Sequence, residues 1–210
     1  MQTWRATELA EFLDRMEGDR YRDAFLVLAT TGMRRGELLG LQWGDVDLEH
    51  RRVYIRRSRT AVAHKVHVQA GTKTGRGRAV DLDEMTTSTL RLHRTAQAQE
   101  LLRLGITLES TTSVFGHVDG RPYHPERFSR EFDRRVLRFG MRRIRLHDLR
   151  HTWATLALEA GVPVKIVSER LGHSSATITS DVYSHVTPTM QADAAERVAA
   201  LLVQRPAAGS

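Results

Sequence analysis

Four stretches of this chain carry side chains able to act on a phosphate group. In Thr31-Gly32-Met33-Arg34-Arg35-Gly36-Glu37-Leu38 a glycine ends one helix and Arg34 stands where the next begins. A helix N-terminus gathers unpaired N–H groups and the positive end of the helix dipole, which suits an anion. Glu37 can fix the Arg34 guanidinium by a paired bond. The second stretch, Gly71-Thr72-Lys73-Thr74-Gly75-Arg76-Gly77-Arg78, reads as a turn rich in hydroxyls, glycine and positive charge. Such a turn suits DNA phosphates or a minor groove, so Thr72, Thr74, Arg76 and Arg78, together with Arg35, are candidate DNA contacts. Lys73 is its only lysine, and a lysine can give up a proton near neutral pH where an arginine cannot. In Leu146-His147-Asp148-Leu149-Arg150-His151, His147 and Arg150 are three apart and share one helix face. The fourth stretch places His173 after a helix-ending glycine, in Leu171-Gly172-His173-Ser174-Ser175, and Tyr183 ten residues on, in Asp181-Val182-Tyr183-Ser184-His185-Val186.

Each stretch alone has a plainer reading: solvated arginines at a helix corner, a basic turn, a chance pair, a half-buried aromatic. Together they suit one reaction. The Tyr183 hydroxyl attacks a phosphodiester in line, and Arg34 and Arg150 neutralise charge on the non-bridging oxygens. His147 or His173 hydrogen-bonds the same phosphate, and one of them helps deprotonate the tyrosine. Lys73 protonates the leaving 5′ oxygen. The arginines would do a metal's electrostatic work and the covalent product would keep the bond energy. Neither a metal, a cofactor nor ATP is therefore expected.

Helices must position most of these groups. Apolar spacing predicts helices over 7–16, with Thr7 as N-cap, and over 21–30, 37–41 and 85–104. Pro125 starts another that runs to 139, and helices over 146–160 and 163–172 end at Gly161 and Gly172. A short helix over 176–186 and a last amphipathic one over 189–202 follow, then a disordered tail at 204–210. Between 46 and 82 the pattern changes to alternation, in Val46-Asp47-Leu48, Val53-Tyr54-Ile55, Val66-His67-Val68 and Ala79-Val80-Asp81-Leu82, with glycines at the turns. The expectation is one small antiparallel sheet of about three strands in a mainly α (α+β) domain.

Composition narrows the partners. Net charge is +7, which favours a polyanion, with nucleic acid first. There are no cysteines, so disulfides, thiolate metal sites and cysteine nucleophiles are excluded. No apolar run reaches the roughly 20 residues of a membrane span. No signal peptide is visible, and a cytoplasmic protein is expected.

The ordered set Arg34, Lys73, His147-x-x-Arg150, His173 and Tyr183 resembles the catalytic set of the tyrosine recombinase, or phage integrase, family. Leu39-Gly40-Leu41-Gln42-Trp43-Gly44-Asp45-Val46-Asp47 strengthens the likeness, which runs from about residue 4 to 202. The resemblance implies a helical catalytic domain with a small three-stranded sheet, spanning 1–203. It implies a 3′-phosphotyrosyl intermediate, a free 5′-hydroxyl, double-stranded DNA as partner and a tetramer on DNA. The helix at 189–202 would dock on a neighbouring protomer or pack on its own core. The N-terminal DNA-clamp domain usual in the family is not expected in this chain. Two alternatives are a type IB topoisomerase and a DNA-binding regulator without chemistry, and the full set of six groups argues against the second. A metal nuclease is a poorer fit, because His147 and His151 lack a third ligand nearby.

Overall fold

Apolar residues spaced three and four apart over the first thirty positions produce two packed helices, α1 (Ala6–Arg15) and α2 (Arg22–Thr31). The computed structural model describes residues 2–62, 65–71 and 77–172. Thr72, Lys73, Thr74, Arg76, His173 and Tyr183 lie outside the described residues, as do the expected helices over 176–186 and 189–202 and the tail. The start of α1 differs from expectation. The cap is Arg5, not Thr7, because the Arg5 N–H donates to Glu8 Oε2 at 2.7 Å. Arg142 then binds the same carboxylate from outside the helix, at 2.9 Å.

After α2 come α3 (Arg35–Gly40), a 3-10 turn (Trp43–Asp45), and the strands β1 (Val46–Asp47), β2 (Arg52–Ile55), β3 (Arg57–Val62), β4 (Lys65–Ala70) and β5 (Arg78–Asp81). Helices return as α4 (Glu84–Arg103), α5 (Pro125–Arg138), α6 (Asp148–Glu159) and α7 (Val164–Leu171). The single expected sheet is two separate pieces. One is a three-stranded antiparallel sheet in the order β1-β2-β5, in register at Val46↔Val53 and Val53↔Val80. Its inward residues Val53, Ile55 and Val80 are buried, as alternation requires. The other is a two-stranded ribbon of β3 and β4, paired at Thr60↔His67. Strand β3 was not foreseen. Its sequence, Arg57-Ser58-Arg59-Thr60-Ala61-Val62, has no apolar face for a core to select.

Close packing ties the ribbon to α3. A Cβ at Gly36 would lie 2.8 Å from the Arg59 carbonyl oxygen, and one at Gly40 2.8 Å from that of Arg57. These two glycines, four apart on one helix face, let α3 lie directly on the β3 backbone. Beneath lies an aromatic core. The ring centroids are 5.1 Å apart for Trp4–Phe12, 5.3 Å for Phe12–Phe132 and 5.0 Å for Phe25–Phe128. The Trp4 backbone N–H donates to Thr152 Oγ1 at 3.1 Å, which joins the start of the chain to α6. Ala154, Leu158, Val167 and Leu171 form a second, smaller cluster between α6 and α7. Among the described residues, no helix is long and apolar enough to cross a membrane.

Candidate active site

The turn after α2 and the end of α7 meet, and two arginines are fixed there. Arg34 caps α3. Its backbone N–H donates to Glu37 Oε2 at 2.8 Å, its Nη1 to Glu37 Oε1 at 2.8 Å, and its Nη2 to the Gly172 carbonyl at 3.1 Å. Arg150, on the first turn of α6, is buried. Its Nη1 donates to the Gly32 carbonyl at 2.7 Å and its Nη2 to the Leu171 carbonyl at 2.6 Å. Consecutive carbonyls at the end of α7 thus hold the two guanidiniums side by side, although the residues are distant in the chain. The Arg34 side chain remains 43% exposed.

His147 is the N-cap of α6 and is open to solvent. Partial desolvation, then the charge of Arg150, with smaller contributions from Arg145 and Arg34, lower its pKa, while Asp148 opposes them. The ring is therefore a neutral donor or acceptor near pH 7. His151 packs edge-on against it, with centroids 5.0 Å apart at 87°. Burial first, then His147, lowers the His151 pKa to about 4. Asp148 turns back and accepts the Arg145 N–H at 2.9 Å and its guanidinium at 3.0 Å.

A cleft of about 480 Å³ opens beside these groups, lined by Arg34, Arg35, Gly36, Ser129, Asp133, Arg143, Arg145, Leu146 and His147. Four arginines against one aspartate give it a positive lining, which suits an anion. Arg35 reaches across it to Ser129 Oγ at 2.7 Å. Ser129, Arg143 and Arg145 were not singled out from sequence. The run Arg142-Arg143-Ile144-Arg145 just before His147 was the available signal.

Glu37 is 4% exposed and accepts two further bonds, from Arg78 Nη1 at 2.8 Å and Nη2 at 2.7 Å. Burial pushes its pKa up, but the Arg78 bonds and charge, then the Arg34 N–H and charge, hold it below the usual range. Arg78, expected to face DNA, is turned inward. Its Nε donates to the Arg170 carbonyl at 3.1 Å and its side chain is 14% exposed. The structure therefore brings Arg34, Glu37, Arg78, His147 and Arg150 together, with Arg35 at the rim.

Comparison with known proteins places nearly the whole chain in a family. The model of the Phage integrase family matches residues 3–190. The chain is 30% identical to a tyrosine recombinase XerC-like protein of Caldanaerobacter subterraneus subsp. tengcongensis, over 97% of this chain and 55% of that one. It is 30% identical to the ICEBs1 integrase of Bacillus subtilis, over 96% of this chain and 55% of the relative. The chain thus spans about half the length of these curated relatives. A structure of the Tn1549 transposon integrase in complex with transposon right end DNA superposes with a TM-score of 0.79, at 22% identity, over 94% of this chain and 66% of that one. A crystal structure of XerA recombinase superposes with a TM-score of 0.70, at 22% identity, over 99% of this chain and 66% of that one. With the fold, the order of its motifs and a family match along nearly its whole length in agreement, this chain belongs to the phage integrase family.

Proposed function

We propose that this chain is the catalytic domain of a site-specific DNA recombinase or integrase that cuts and rejoins double-stranded DNA through Tyr183. The observation that carries the reading is the pairing of Arg34 and Arg150 on neighbouring carbonyls, with His147 beside them at an arginine-lined cleft. Two fixed guanidiniums can neutralise the non-bridging oxygens as charge builds on a five-coordinate phosphorus. The Tyr183 oxygen forms a bond to phosphorus and the bond to the 5′ oxygen breaks. That oxygen takes a proton from Lys73, which leaves a 3′-phosphotyrosyl ester and a free 5′-hydroxyl. His147 or His173 donates to the same phosphate and helps remove the tyrosine proton. Attack by a 5′-hydroxyl reverses the steps and restores the diester without ATP. Thr72, Thr74 and Arg76 contact the DNA backbone, and Arg35 does so from the cleft rim. The active assembly is a tetramer on DNA in the cytoplasm, in which segment 189–202 packs on a neighbouring protomer.

Nicked duplexes with randomised flanks test the reading, because loss of the short 5′ fragment traps the adduct. The wild-type chain should yield a protein–DNA species stable in denaturing gels, with mass spectrometry placing the DNA on Tyr183. The Y183F variant should yield none. An adduct that survives this change would refute the assignment. Relaxation of supercoiled DNA with no site preference would favour the topoisomerase alternative.

A further inference from the structure

We propose that Arg78 is a positioning residue for Arg34: its forked guanidinium holds Glu37 as the carboxylate that aims Arg34 at the phosphate. The inference rests on the recombinase reading above and adds a component to that site. Glu37 has two oxygens and four donors. Oε1 accepts from Arg34 Nη1 and Arg78 Nη1, and Oε2 accepts from the Arg34 N–H and Arg78 Nη2. Both lobes of the carboxylate are thus shared between the two arginines. The second anchor of Arg34, the Gly172 carbonyl, is braced from the same direction. Arg78 Nε binds the Arg170 carbonyl in the same helix end, and a Cβ at Gly172 would lie 2.8 Å from Arg78 Nη1. Exposure separates the roles. The Arg34 side chain is 43% exposed and can meet a DNA phosphate, while the Arg78 side chain is 14% exposed and faces the protein.

A buried carboxylate needs a cation to stay ionised. Arg34 alone serves poorly, because its charge is also wanted by the phosphate. With Arg78 in place Glu37 stays charged while Arg34 turns part of its guanidinium outward. Without Arg78, burial is opposed by Arg34 alone, the Glu37 pKa rises, and its hold on Arg34 weakens.

The test compares R78Q and R78K with wild type in the full chain on nicked duplexes, with DNA affinity and the first-order rate of adduct formation at saturating DNA measured separately. For R78Q, affinity should stay within about twofold of wild type at matched salt, while the rate near neutral pH falls about a hundredfold through misplacement of Arg34. That loss should shrink as pH rises and Glu37 ionises again, a dependence a purely structural defect would not show. R78K keeps the charge but not the fork. It should be slowed less and show no such recovery, and it carries the comparison should R78Q not fold. The double variant E37Q/R78Q should be no slower than E37Q alone. Carbon-13 NMR of the Glu37 carboxyl gives a reading that needs no catalysis: it should titrate at higher pH in R78Q than in wild type. If wild type makes no adduct while the NMR difference holds, the recombinase reading fails and the coupling survives. If R78Q instead weakens DNA binding, flattens its salt dependence and keeps the wild-type rate at saturation, Arg78 is a phosphate contact and the proposal is overturned. A wild-type rate in R78K, or the same Glu37 titration in R78Q and wild type, overturns it too.

Discussion

Gly32 tests the link between packing and chemistry most directly. It closes α2 in the left-handed region, at φ 67° and ψ 17°, and its carbonyl accepts Arg150 Nη1. A methyl group there would lie 2.8 Å from Trp153 Cε3 and 3.0 Å from Leu171 Cδ2, both side chains packed between α6 and α7. G32A therefore has two costs. The left-handed backbone costs an alanine about 1 kcal/mol, and forcing a methyl into a filled space costs about 1–3 kcal/mol more. Gly140 supplies the control. Its φ is 63°, but no neighbouring atom lies within 4 Å of the added carbon, so G140A should show the first cost alone. At about 2–4 °C of melting temperature per kcal/mol for a chain of this size, G140A should melt about 3 °C below wild type and G32A about 9 °C below. Thermal and urea melts measure this. Adduct formation on a nicked duplex, assayed at a temperature where both variants are folded, should fall in G32A and stay normal in G140A, because of the two glycines Gly32 alone binds Arg150. Equal melting shifts in the two variants would refute the clash, and normal cleavage by folded G32A would refute the role of the Gly32 carbonyl.

Two further outcomes follow from the same geometry. The His151 pKa lies near 4 in the folded chain against an ordinary value of 6.5, so the unfolded chain binds the extra proton first. Its contribution to stability is whole above pH 6.5 and is lost as pH falls through 4. Partial exposure keeps the effect below the ceiling of about 1.4 kcal/mol per pH unit. Wild type should thus lose more melting temperature than H151Q on acidification, and parallel losses would contradict the argument. Asp83 caps α4, with Oδ1 accepting the Thr86 N–H at 2.8 Å and Oδ2 the Thr86 hydroxyl at 2.6 Å. D83A should cost about 1 kcal/mol and D83N much less, as read from urea midpoints, and an unaltered D83A midpoint would show that the cap contributes nothing.

Local periodicity made the helices legible. Leu9, Phe12 and Met16 recur at helix spacing, and the first residue of α5 is a proline that needs no N–H partner. The same logic found His147 and Arg150 three apart, but it could not separate their surroundings. Arg150 points down onto the carbonyls of Gly32 and Leu171, while His147 stands open at the cap. Strand β3 was illegible because a ribbon without a buried face leaves no alternation to read. Thr7 looked like a cap because hydroxyls suit that position, yet the helix already begins at Ala6, where the Glu8 carboxylate accepts the Arg5 N–H.

Arg78 shows where reading by spacing stops. In the sequence it is one more positive charge in a basic turn, which suits DNA phosphates. Its partner, Glu37, belongs to α3, and the two meet only because β5, α3 and the end of α7 pack together. Glu37 was legible as a partner of Arg34 because the two are three apart on one helix. That reading was incomplete on physical grounds alone. A carboxylate 4% exposed must be neutralised, and an arginine proposed to serve a phosphate as well would not do this unaided. A buried acid behind a partly exposed arginine therefore implies a second cation from elsewhere in the fold. Local spacing cannot say which of the many arginines of this chain supplies it; the bonds to both oxygens of Glu37 do.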